Sequence, residues 1–101
     1  MFGVDREPIW VFPDGYILFE TFTNLAEEIE DFLITISEPV VRTQLIHEYV
    51  LTPYALYAAV TSGINGIEIL QVLKKFSKNF LPKMVKKMII VCTKLYGKLH
   101  L

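Results

Sequence analysis

His47 and Glu48 stand side by side, and a histidine followed by a glutamate is how many zinc proteases begin their metal-binding helix. That motif needs a second histidine four positions after the first, on the same helix face, and position 51 is Leu. The remaining histidine and the single cysteine, His100 and Cys92, are too scattered to complete a zinc site, which wants four protein ligands or three and a water. His47 is therefore expected to be a hydrogen-bonded structural histidine. Glu27, Glu28, Glu30 and Asp31 lie close enough together to suggest paired carboxylates, but acids near the start of a helix already find a favourable place at the positive end of its dipole. Gly97-Lys98 lacks the upstream glycine and the following Ser or Thr of a phosphate-binding loop. No catalytic residue, metal site or cofactor is expected.

The elements that would carry these residues are well punctuated. Pro8–Phe12 and Tyr16–Glu20 flank Pro13-Asp14-Gly15 and read as a β-hairpin: Pro presets φ, Asp bonds its own backbone, and Gly accepts the positive φ of a bulge. Both strands are apolar on both faces, which predicts a cover on each face. One small domain does not obviously supply two, so a partner is expected over part of the hairpin.

Asn24 with Glu27 resembles a capping box opening a helix to about Ser37, with Leu25, Ile29, Phe32, Leu33 and Ile36 on one stripe and Pro39 as its stop. His47–Leu51 suits a third strand. Thr52-Pro53 then caps and starts a helix that Gly63 ends. Asn65 and Glu68 form a second capping-box pattern before the stripe Ile67, Leu70, Leu73 and Phe76. Leu81-Pro82 launches a last helix with Val85, Met88, Ile89, Cys92 and Leu95 or Tyr96 inward and Gly97 at its end. Cys92 on that stripe reads as a buried structural thiol, because a nucleophile wants exposure and a neighbouring cation or base.

The whole predicts an α+β fold: one small domain, an N-terminal hairpin plus a third strand, packed with about four helices. At 101 residues and 52% hydrophobic content, the chain fits one core with apolar surface left over. Every apolar run is broken well before the length of a membrane span, and a soluble chain without a membrane partner is expected. There is no secretory leader or glycosylation sequon, and a lone cysteine suits a reducing compartment.

Charge divides the sequence. Residues 1–50 hold ten acids against Arg6 and Arg42, whereas residues 51–101 hold eight lysines against Glu68. Such asymmetry marks either a polyanion-binding face or two solvated surfaces. Ala59, Gly63, Ile64, Ile69 and Val72 have the spacing of a helix-turn-helix. This gives an alternative reading, a nucleic-acid-binding domain using the lysine-rich C-terminal half. The early exposed residues of the second helix would be Asn65, Gly66, Glu68 and Gln71, and Glu68 would repel a phosphate backbone.

In order and spacing, PIWVFPDGYILFETF at 8–22, DFLITISEP at 31–39, HEYVLTPYALYAAVTSG at 47–63, FSK at 76–78 and YGK at 96–98 resemble the N-terminal domain of the XPB helicase family, the DNA translocase subunit of TFIIH. The resemblance covers nearly the whole sequence. It implies that residues 1–101 form a single interaction domain without the ATPase motor. It also implies that this domain holds the helicase to a TFIIH core subunit of similar local fold in a nuclear complex for transcription and nucleotide excision repair. It implies no catalysis here, and direct nucleic-acid contact is left open. In the family the Tyr-Gly-Lys motif leads into further strands, whereas this sequence stops at Leu101, so an unpaired sheet edge open to strand addition is expected. The candidate partner contacts are Trp10, Phe12, Tyr16 and Leu18 on the hairpin and His47 and Tyr49 on the third strand.

Overall fold

The computed structural model describes residues 8–100, with side chains as far as Lys94. The predicted hairpin forms: β1 (Ile9–Val11) and β2 (Tyr16–Glu20) are antiparallel neighbours. Its turn has the expected chemistry. The Gly15 amide donates to the Phe12 carbonyl at 3.0 Å, the Tyr16 amide donates to Asp14 Oδ1 at 3.1 Å, and Gly15 sits at φ 92°, a region closed to most L side chains.

From β2 the chain crosses through α1 (Ala26–Ile36) to β3 (Glu38–Arg42), then turns back as β4 (Ile46–Val50). The sheet order is β1-β2-β4-β3 with every neighbouring pair antiparallel. β2 and β3 therefore run parallel, with β4 inserted between them. α2 (Pro53–Thr61), α3 (Gly66–Phe76) and α4 (Lys83–His100) follow. The expected α+β class and four helices are found, with one strand more than expected. β3 escapes a sequence reading because Pro39 looks like a helix stop. It is instead a proline in a strand on the sheet edge, next to a register shift between Pro39 and Val41, the two settings in which a sheet accepts that residue. Thr43 closes the turn into β4, donating its hydroxyl to the Ile46 carbonyl at 2.7 Å and accepting from the Ile46 amide.

All four helices lie on one side of the sheet. The core gathers Ile9, Val11, Ile17, Phe19 and Tyr49 from the strands with Ile29, Leu33 and Ile36 of α1, Leu56 and Ala59 of α2, Ile69 and Leu73 of α3, and Val85, Ile89 and Cys92 of α4. α4 is the keystone of the helical half, packing on both α2 and α3.

Helix punctuation is partly as expected. Thr52 Oγ1 accepts from the Ala55 amide at 3.1 Å and donates to Glu38 Oε2 at 2.8 Å, so the α2 cap also ties down β3. Gly63, at φ 99°, ends α2 with paired bonds, its own amide to the Val60 carbonyl and the Ile64 amide to the Ala59 carbonyl. Asn65 and Glu68 exchange both capping-box bonds.

Four expectations fail. Leu25, not Asn24, occupies the α1 cap, without a side-chain bond, because the chain first turns at Thr23. The exposed Leu25 accordingly leaves the core stripe. On α3 the buried pair is Ile69 and Leu73, while Ile67 is 68% exposed, a rotation set by where α4 lies. Gly97 does not end α4, which continues to His100; a glycine inside a helix weakens it without stopping it. The inward placement of Leu95 or Tyr96 lies outside the described side chains.

One edge of the sheet is closed by the chain itself. The Ile9 carbonyl accepts from the Lys78 amide at 2.7 Å, and the Asn79 side chain binds both backbone groups of Val11, accepting from its amide at 3.2 Å and donating to its carbonyl at 2.8 Å. The expected open edge is therefore at β3, along which no strand pairs among the described residues.

Two substitutions test these contacts. Asn79→Ala leaves both Val11 groups without their partner and should cost about 1–3 kcal/mol, read as a lowered urea midpoint with faster hydrogen exchange at Val11. A Cβ at Gly66 would fall 2.5 Å from Thr93 Oγ1, whose hydroxyl is anchored to the Ile89 carbonyl. Gly66→Ala should therefore destabilise by about 1–3 kcal/mol of overpacking despite its better helix propensity, and Thr93→Ala in the same chain should recover most of the loss.

Candidate functional site

Side chains alternate across a strand, and this alternation sorts the six candidate contacts. Phe19 pairs with His47 and Ile17 with Tyr49 across β2 and β4, and these four point to the helices. His47 is buried, and Tyr49 is 0% exposed. Neither is available to a partner while the helices stay packed, which corrects their expected place on a contact surface.

Trp10, Phe12, Tyr16 and Leu18 belong to the other face. Trp10 sits beside Leu18, Leu18 beside Glu48, and Glu48 beside Val41, one row across all four strands. Tyr16, Val50 and Glu38 make the next row. No helix of the described chain covers them. Trp10 and Phe12 are each 38% exposed, Tyr16 and Val41 are exposed, and Leu18 is half-buried by its neighbours. The hairpin is covered on one face by its own helices and bare on the other. Val41, Val50 and Glu38 extend this surface. Their Val-Val and Val-Leu pairs were visible in the sequence, but β3 had to be recognised before they could be placed beside the aromatics.

The inner face holds a small polar network. The Arg42 guanidinium pairs with the Glu30 carboxylate, Glu30 Oε2 lies 3.9 Å from His47 Nδ1, and His47 Nδ1 is 3.1 Å from the Tyr49 hydroxyl. The Phe19 ring meets the His47 ring edge-on at 5.7 Å. The expected hydrogen-bonded structural histidine is what the geometry shows. Glu48, the next residue, faces the opposite side of the sheet, so the His-Glu pair cannot converge on one substrate or ion. Glu30 is no simple solvated acid either; it binds α1 to the β3 edge. Burial raises the Cys92 pKa, keeping the thiol protonated. Among the described residues no three His, Cys, Asp or Glu side chains are grouped to hold a metal, and no single helix is long and apolar enough to cross a membrane. The side chain of His100 lies outside the described residues.

α2 and α3 turn through 113° across the short link from Ser62 to Asn65, an angle found in helix-turn-helix pairs. The exposed start of α3, however, offers Ile67 and Glu68, an apolar group and an acid, which suit a phosphate-lined groove poorly.

A family model described as "Helicase conserved C-terminal domain" matches residues 9–101. The chain belongs to this family. It is homologous to the XPB helicase/translocase subunit of general transcription and DNA repair factor IIH: the Dictyostelium discoideum protein is 52% identical over 94 residues, covering 93% of this chain and 12% of the relative. The Drosophila melanogaster protein is 46% identical over 96 residues, covering 95% and 12%. XPB1 of Arabidopsis thaliana is 48% identical over 96 residues, again covering 95% and 12%. The chain thus spans about an eighth of the length of these XPB relatives. The family description speaks of a C-terminal domain, where the resemblance implied an N-terminal one; homology to XPB is common to both.

The inner network predicts an alkaline signature. The Tyr49 pKa is raised above 10.0, first by burial, then by the Glu30 charge, with Arg42 opposing. The unfolded chain therefore loses this proton first, so the part of the stability linked to Tyr49 should be constant below the unfolded value near 10 and fall as pH rises from there until the folded value is passed. Urea midpoints measured across that range should fall less steeply for Tyr49→Phe than for the parent. Equal slopes would show that Tyr49 does not titrate differently in the two states.

Proposed function

We propose that this chain is the N-terminal docking module of an XPB-type TFIIH helicase, anchoring the translocase to the TFIIH core subunit that recruits and stimulates it. The observation that carries this reading is the bare sheet face of Trp10, Phe12, Tyr16 and Leu18, backed by Ile9, Val11, Ile17 and Phe19 of the same two strands, all buried in the core. Aromatic anchors on a rigid support are what dominate interface energies, because little ordering is needed when they bind. XPB homology supports a TFIIH setting, nuclear work in transcription initiation and nucleotide excision repair, and a partner within that complex. The order of the hairpin, HEYVLTPYALYAAVTSG and later motifs supports the N-terminal placement. On this reading residues 1–101 act as one interaction domain and the ATPase chemistry belongs to other parts of the helicase. The separation of His47 from Glu48 across the sheet and the protonated thiol of Cys92 fit a part that performs no catalysis.

His47 and Tyr49 contribute from below, fixing the strand that carries Glu48 and Val50 to the surface. Direct contact is assigned to the four outward hairpin residues.

Titration calorimetry of the chain with the TFIIH core subunit tests the reading. Trp10→Ala should weaken binding by about 2 kcal/mol or more, as a central aromatic anchor does, while its urea midpoint falls only modestly because the side chain is part-exposed and outside the buried core. Unchanged affinity would remove Trp10 from the interface.

A further inference from the structure

On the helical half, Lys74 and Lys78 at the end of α3, Lys86 of α4 and the connecting residues Ser77–Leu81 surround a cleft of about 440 Å³. Among the described residues its charge is largely unanswered. Glu68 is the only acid in residues 51–101, and it sits at the far end of α3; from the sheet, Glu20 reaches one of the three lysines, with its Oε1 3.1 Å from Lys78 Nζ. Phe80 stands at the mouth of the cleft and is 96% exposed. Its backbone is held. The Phe80 carbonyl accepts from Asn79 Nδ2 at 3.1 Å, and the same Asn79 side chain is fastened to Val11. The ring is therefore presented from a pinned segment, with buried Leu81 immediately after it.

We propose that this cleft binds a single-stranded nucleic acid, with Lys74 and Lys86 on consecutive phosphates and a base stacked on Phe80. A fixed exposed aromatic beside a cationic groove is the arrangement by which proteins hold single strands without reading sequence. Duplex bases are already stacked and would leave the ring unused. An acidic peptide would engage the lysines but gain little from Phe80. The cleft uses other side chains than the bare sheet face and than the early α3 residues of a helix-turn-helix, so its test is separate from that of the docking reading.

The test is fluorescence anisotropy with a labelled single-stranded 12-mer across a salt series beginning at low salt. Two phosphate contacts should give a log–log slope near −1.4, at about −0.7 per contact. Lys74→Gln and Lys86→Gln should each reduce the slope by about half, whereas Phe80→Ala should weaken binding about tenfold at fixed salt without changing the slope. Phe80 is exposed, so this variant should fold as the parent does, and Trp10→Ala should bind the strand normally. Absence of binding at the lowest salt would overturn the proposal. So would a duplex 12-mer binding equally well, or a poly-glutamate peptide competing equally while Phe80→Ala has no effect; the latter would assign the cleft to an acidic protein segment.

Discussion

The pairing of β2 with β4 is the constraint on which the rest of this structure depends. It joins two separate hairpins into one sheet in a register that sets Tyr16 against Val50, Ile17 against Tyr49 and Phe19 against His47. Because side chains alternate with a period of two, a slip of one residue in either strand would exchange its inward and outward sets. Tyr49 and Ile17 would then be lost from the core, and the outward face would lose its aromatic row. The register is protected from several sides. Thr21 binds the Leu45 carbonyl through both amide and hydroxyl, the Leu51 amide donates to the Gly15 carbonyl, and α1 bridges to β3 through Glu30 and Arg42.

From that register follows a division of labour between neighbouring residues. His47 and Glu48, adjacent in sequence, belong to different environments, one beneath helices and one on the bare surface. In the sequence they invite a search for a metal; in the sheet they are a core histidine and a surface acid. The aromatic letters divide in the same way, with Phe19 and Tyr49 inside and Trp10, Phe12 and Tyr16 outside. An apolar strand reading on both faces can thus mean a core on one side and a bare apolar surface on the other.

Local punctuation was the legible part of the sequence. Pro13-Asp14-Gly15, Thr52-Pro53, Gly63 and Asn65–Glu68 act through bonds made within a few residues, and each operates as its chemistry dictates. What was illegible depends on distant neighbours. β3 exists because β4 offers it an edge, and the Glu-Pro-Val-Val-Arg segment has little local preference that outweighs the proline. Ile67 and Ile69 can be ranked only once α4 is placed, and Gly97 is carried within α4. The outward, apolar character of the four hairpin side chains was legible, because their strands read as apolar on both faces. The inward turn of His47 and Tyr49 was not, since the face of a strand is fixed by its register with a partner.

The Asn79 clamp has a consequence for self-association. Continuous stacking of sheets into a fibre requires each copy to offer two receptive borders, one to give and one to receive. Here one border is occupied by the molecule's own side-chain amide, which copies the bonding of an absent strand. Among the described residues β3 is the sheet border left for pairing, and a meeting there, border to like border, ends at two. The chain can keep a broad apolar face on its sheet without that sheet becoming a template for unlimited growth.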